Sequence, residues 1–158
     1  TGLRVGELFA LNYSDLKGST LSITKTEYRG VVYSSTKTKK STRNIEVNQE
    51  VIQILYKLKQ RQINSKILAF NNDRIFVGVN KISYTNFTDY LNLYKPIHLN
   101  PHIFRHTHAS LLIECGVPVE AVSRRLGHED TIVTKKIYIH LTKKLKEKED
   151  KIFREIVI

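Results

Sequence analysis

Cysteine occurs once in this 158-residue chain, at Cys115. One thiol excludes an internal disulfide and any zinc cluster built on several thiolates. Its place on the apolar face of a helical stretch predicts core packing. Long hydrophobic runs are missing too: no apolar stretch approaches the ~20 residues that a membrane span needs. The opening TGLRVGELFA has no extended apolar centre and no small-residue cleavage site, so it does not read as a signal peptide. No Gly-rich phosphate loop, internal repeat or low-complexity tract is found, which argues against an ATP-driven enzyme. Acidic residues are the remaining shortage. Asp and Glu number 15 against 26 Lys and Arg, a formal charge of +11. A field of that sign favours a polyanion partner, nucleic acid being the commonest.

What is present suffices for one folded domain with a real core. Hydrophobic residues make up 41% and charged residues 26%, which excludes a disordered chain. Gly2 to Leu11 reads as a helix with Leu3, Leu8 and Leu11 inward, and with Arg4 and Glu7 on one face as a surface ion pair. Asn12 to Gly18 is a turn. A β region follows, with runs at Leu21 and Ile23, at Val31 to Tyr33 after an Arg29-Gly30 turn, and at Asn44 to Val47. Between the last two lies the hairpin tip SSTKTKKST, Ser34 to Thr42. Its lysines suit either a solvated, edge-blunting role or a phosphate backbone. Asn48 caps a helix to about Ile63, with Val51, Ile52, Leu55 and Leu58 at helical spacing and Lys57, Lys59, Gln60 and Arg61 as a solvated face. A short strand is expected at Ile75 to Val77. Ser83 caps a helix to Tyr94 whose stripe of Phe87, Tyr90, Leu91 and Tyr94 suits core packing. The tail carries an amphipathic stripe of Leu141, Leu145, Ile152, Phe153 and Ile156, suited to docking on this molecule or on a neighbour.

The densest chemistry lies between Asn100 and His140. Asn100 is a good N-cap, Pro101 suits the first helical position and Gly116 suits the residue just past the end. His102 and Arg105 therefore leave one face of a helix. A second helix runs from near Pro118 to Gly127, with His128 just beyond it. Tyr138 follows ten positions after His128 on a third helical stretch entered at Asp130-Thr131. The trio His102, His106 and His108 could suggest zinc, but no Glu completes H-E-x-x-H, Arg105 would set a cation beside the metal, and two of the three point apart. Ser110 and Ser123 sit in no nucleophile elbow.

Phosphoryl transfer to tyrosine uses more of these groups. Arginine's planar fork neutralises phosphate oxygens, a phenol near cations can attack, and a lysine or histidine can protonate the departing oxygen. The chain resembles the catalytic domain of tyrosine recombinases, the phage integrase family. The resemblance rests on TGLRVGE at Thr1 to Glu7, the lysine hairpin with TKT at Thr36 to Thr38, HIFRHTHA at His102 to Ala109, LGH at Leu126 to His128, and Tyr138 followed by Ile139-His140. It spans essentially the whole chain.

The resemblance implies an α+β fold, mostly helical, with a small antiparallel three-stranded sheet near the N-terminus. It implies that Arg4 and Arg105 clamp the scissile phosphate, His102 acts as general acid/base, and His128 bonds a phosphate oxygen. Lys37 would protonate the 5′-oxygen, with Lys39 or Lys40 as alternatives, because hairpin registers slip. Tyr138 would form a 3′-phosphotyrosine link and Glu7 would support a basic neighbour. Lys39, Lys40 and Arg43 are expected DNA contacts. No metal or other cofactor is implied. The expected partner is duplex DNA at a specific site, bound by a dimer to tetramer that exchanges its C-terminal tail, without membrane association and on a bacterial nucleoid. The rival readings are a catalytically inactive DNA-binding regulator and a type IB topoisomerase. Because the chain opens on Thr1 inside an apparent helix, the expectation is a single C-terminal catalytic domain over residues 1–158, shortened at its N-terminus and lacking the family's core-binding and arm-binding domains.

Overall fold

The computed structural model describes residues 1–34, 42–65, 73–76, 84–93, 99–128 and 131–155. Among them lie six helices and five short strands in two layers. The N-terminal layer starts with α1 (Val5–Phe9), shorter than the Gly2 to Leu11 expected. Gly2 takes φ +72° and Arg4 is extended at the N-cap, so the helix starts only at Val5. After a 3-10 turn at Tyr13–Asp15 come β1 (Leu16–Lys17), β2 (Thr20–Ile23), β3 (Lys25–Tyr28), β4 (Val31–Ser34) and β5 (Arg43–Glu46).

The antiparallel three-stranded sheet is present, in the order β1-β2-β5. Its membership differs from the expectation. Val31 to Tyr33 pairs instead with β3 as a separate two-stranded ribbon, and all four residues of β4 are exposed. A consecutive apolar run does not single out one strand face for the core, whereas alternation does. Leu21 pairs with Ile45, and both point inward while Ser22 and Asn44 turn outward.

Asn48 caps α2 (Gln49–Asn64), its side chain accepting from Val51 N at 3.1 Å. Leu55 on α2 joins Leu11, Tyr13, Leu21, Ile23, Ile45, Val47 and Ile75 in the main core. The Tyr13 hydroxyl donates to Gln62 Oε1 at 2.8 Å and Gln62 Nε2 donates to the Ile75 carbonyl, so each buried polar group has a partner. Of the strand expected at Ile75 to Val77, Val77 lies outside the described residues; among the described ones Ile75 and Phe76 are in no strand, and Arg74 makes an isolated bridge to Asn12. On α3 (Tyr84–Asn92), Phe87 meets Phe9 edge to face at 5.7 Å and Leu91 is buried, while Tyr90 is exposed. Tyr94 lies outside the described residues.

The second layer is α4 (Pro101–Glu114), α5 (Val119–Leu126) and α6 (Thr131–Glu155) around Ala109, Val122 and Leu126. Asn100 caps α4 by accepting from Ile103 N at 3.0 Å, and Gly116 past its end has φ +80°. Cys115 is exposed at the C-cap of α4, which corrects its reading as core. The last turn of a helix rotates a residue off the buried face. The third helical stretch and the tail form one helix of 25 residues, α6. The side chains of Leu141, Leu145, Ile152, Phe153 and Ile156 lie outside the described residues. Among the described residues no helix is long and apolar enough to cross a membrane.

Candidate active site

The two layers join at the C-terminal end of α5, and the site is built there. A helix end leaves its last carbonyls without intrahelical donors and carries partial negative charge. Gly127, at φ +66°, turns the chain so that its own N–H and that of His128 return to Arg124 O and Ser123 O. Three successive carbonyls then remain, and each is taken by an arginine from a different element. Arg43 Nε donates to Arg125 O at 2.7 Å, Arg105 Nη2 to Leu126 O at 2.6 Å and Arg4 Nη2 to Gly127 O at 2.8 Å. Gly127 also lacks the Cβ that would stand 2.8 Å from Arg43 Nη1.

Glu7 is the counter-charge at the centre. It is 5% exposed, so the expected surface pair with Arg4 is buried at its carboxylate end, while the Arg4 side chain keeps 42% of its surface exposed. Its carboxylate receives Arg4 N–H at 2.8 Å, Arg4 Nη1 at 2.9 Å, and Arg43 Nη1 and Nη2 both at 2.9 Å. Burial alone would raise the Glu7 carboxyl. The hydrogen bonds and charges of Arg43, then of Arg4, bring it below the usual range. Arg43, expected as a DNA contact, is held inside the protein in this structure. Its side chain is 7% exposed and its guanidinium is committed to Glu7 and to the carbonyl of Arg125. A strand residue at the mouth of a basic hairpin looks solvent-facing in sequence, but the pleat turns this one inward.

Arg105 is buried on α4 and also donates Nη1 to Gly2 O at 2.7 Å. Burial, and then the neighbouring Arg4, push its pKa down to about 10, so it stays charged at neutral pH. Gly2 is required in this approach, because a Cβ there would lie 2.5 Å from the His108 ring. His128 sits just beyond α5 with Nδ1 2.8 Å from Thr134 Oγ1 on α6. Burial first, then Arg105 and Arg4, lower its pKa to about 4, which leaves it neutral at physiological pH.

These groups open onto one cleft of about 250 Å³ lined by Arg4, His102, Arg105, His106, Ala109, Leu126, His128 and Ile137. Four of the expected residues, Arg4, His102, Arg105 and His128, are therefore brought together. Tyr138 stands beside them without lining the cleft: it is 44% exposed on α6, next to Ile137. Lys37, Lys39 and Lys40 lie outside the described residues. His106, Thr134 and the inward role of Arg43 escaped the sequence reading. The i, i+4 spacing of His102 and His106 carried the signal for the first, but it was weighed only as a metal ligand pair. Among the described residues no group of three or more His, Cys, Asp or Glu side chains is placed to hold a metal ion. What the cleft can do is bind a small anion: two fixed guanidiniums and the neutral imidazole of His128 face it, and among the described residues no carboxylate lines it.

Comparison with known proteins agrees. Residues 1–144 match the family model described as the phage integrase family. An integrase of Staphylococcus phage L54a is 33% identical over 92% of this chain and 46% of its own length. The ICEBs1 integrase of Bacillus subtilis is 32% identical over 96% of this chain and 45% of its own. The chain thus spans somewhat less than half of the curated relatives it matches. Among solved structures, XerA recombinase superposes with TM-score 0.72 at 23% identity, covering 99% of this chain and 54% of that one. The Tn1549 transposon integrase bound to transposon right end DNA gives 0.71 at 21%, covering 94% and 55%. At these identities the structural likeness speaks for the fold.

Proposed function

The chain belongs to the phage integrase family, and from that premise we propose that it is the catalytic domain of a site-specific DNA recombinase that cuts and rejoins DNA through a 3′-phosphotyrosine. The observation that carries the reading is the cleft in which Arg4 and Arg105, each anchored at α5, meet His102 and His128. The scissile phosphate sits there with its non-bridging oxygens on the two guanidiniums. Because each guanidinium is already fixed by carbonyls, little side-chain entropy is lost when the anion arrives. His128, neutral, adds a further hydrogen bond. The Tyr138 phenolic oxygen attacks phosphorus, the bond to the 5′-oxygen breaks, and that oxygen takes a proton from Lys37, with Lys39 or Lys40 as alternatives. His102 takes the phenolic proton and returns it on religation. The phosphotyrosine conserves the bond energy, so rejoining needs no nucleotide, and the arginines perform the charge neutralisation that a metal supplies elsewhere.

Tyr138 has to swing from its exposed place on α6 toward the cleft, and DNA with a second protomer supplies the reason. The protein acts as a dimer to tetramer on duplex DNA at a bacterial nucleoid, and the tail after Tyr138 is the segment exchanged between protomers. The test is a nicked suicide duplex carrying the recombination site, with EDTA present and denaturing gels as readout. A covalent adduct that disappears in Tyr138→Phe supports the reading. Tight binding of the site with no adduct would replace it by a DNA-binding regulator.

A further inference from the structure

Thr134 is completely buried, at 0% exposure, on α6 one helical turn before Tyr138. Its hydroxyl lies 2.8 Å from Nδ1 of His128. A threonine inside a helix commonly donates to a carbonyl three or four residues back. Thr142 does so on this same helix, to Tyr138 O at 2.9 Å and Ile139 O at 3.0 Å. Thr134 instead faces an imidazole, and a hydroxyl in that place can donate or accept. Its choice fixes which ring nitrogen carries the proton.

The cleft decides between the two. His128 shares it with the guanidiniums of Arg4 and Arg105, and burial among those cations keeps the ring neutral, with a pKa near 4. A neutral imidazole has one N–H. Placed on Nδ1, that proton would be committed to Thr134, and the cleft would meet the bare lone pair of Nε2, which repels an oxyanion. Donated to by Thr134, Nδ1 needs no proton, and Nε2 carries the N–H toward the cleft.

We propose that Thr134 is a positioning residue: it donates its hydroxyl proton to Nδ1 of His128, so that His128 presents Nε2–H to an anionic oxygen in the cleft. The inference rests on the anion-binding reading of the cleft given above. It has a mechanical corollary. Thr134 and Tyr138 ride on one helix, so the hydrogen bond ties the donor for the phosphate to the segment that carries the nucleophile. Withdrawing α6 removes the nucleophile and releases the tautomer of His128 in the same motion.

Nitrogen-15 NMR of the His128 ring tests the tautomer in the unaltered protein. At pH 7 the expected spectrum has protonated Nε2 and unprotonated Nδ1; a protonated Nδ1 would overturn the proposal without any variant. Thr134→Val keeps the shape and removes the hydroxyl, and is expected to mix the tautomers. Its adduct formation on the suicide duplex should be slower by about 10-fold to 100-fold, with DNA affinity unchanged. Thr134→Ser should keep both the tautomer and, within a few-fold, the rate. Equal rates for Val and Ser would sink the idea. If the unaltered protein shows Nε2–H yet yields no adduct, the recombinase reading falls while the Thr134–His128 assignment stands.

Discussion

Replacing Glu7 by glutamine tests the electrostatic centre of the domain most directly. The change keeps the side-chain shape and removes one charge. Four N–H donors from Arg4 and Arg43 now converge on the two carboxylate oxygens. An amide offers one oxygen, and its NH2 would confront guanidinium donors. Two cations, one of them 7% exposed, are left without their anion. Breaking a buried pair by removing one partner costs about 3–5 kcal/mol. That is a large part of the ~5–15 kcal/mol total of a typical domain. At roughly 2–4 °C per kcal/mol for a domain of this size, Tm should fall by ~6–20 °C, read by circular dichroism or calorimetry.

The pH dependence supplies the sign check. The Glu7 carboxyl lies lower in the folded protein than its ordinary 4.5. Its stabilisation is therefore full above that value and is lost as pH falls through the lowered folded value. Glu7→Gln should lack this part of the acid limb. Adding Arg43→Met to Glu7→Gln removes one stranded cation, so the double variant should lose less than the sum of the singles. A loss under ~1 kcal/mol for Glu7→Gln, with an unchanged acid limb, would refute the argument, because it would mean that the pair is worth no more than an exposed one.

Three further outcomes follow from the same geometry. Gly127→Ala forces a Cβ into a φ of +66° and against Arg43, and should cost about 1–3 kcal/mol in urea unfolding while lowering adduct yield. Arg105→Lys keeps the charge but cannot reach both Gly2 O and Leu126 O; adduct formation should drop by about 10²-fold or more, with a far smaller change in DNA binding. His128 and His108 both have pKa values pushed down to about 4 from 6.5, first by burial and then by neighbouring cations. Stability should therefore be full above pH 6.5 and decline as pH falls toward 4, and His128→Asn should flatten part of that slope in urea midpoints.

The elements announced by local rules were legible in the sequence. Asn100, Pro101, Gly116 and Gly127 bound α4 and α5 because capping chemistry acts over three or four residues. Arg4, His102, Arg105 and His128 were readable as one site through their family motifs. The misread parts depend on contacts between distant segments. That Arg43 turns inward to Glu7 depends on a partner 36 residues away, and no spacing rule reaches that far. The Val31 to Tyr33 run was assigned to the wrong sheet because strand pairing is decided by partner and turn, not by the apolar run itself. Thr134 gave no signal at all, since a threonine in a helix is ordinary until its neighbour is known to be a histidine.

The three carbonyls at the end of α5 also have a consequence in time. Arg4 and Gly127 are 123 positions apart, Arg43 and Arg125 are 82 apart, and Arg105 and Leu126 are 21 apart. During synthesis Arg4, Glu7 and Arg43 leave the ribosome long before the residues that orient them. Contacts of such long sequence separation form late in folding. The arginines acquire their fixed directions only when residues 125–127 have emerged and α5 has closed on the N-terminal layer. A nascent chain that has not yet reached residues 125–127 therefore carries the arginines' positive charge but not the arrangement that holds them.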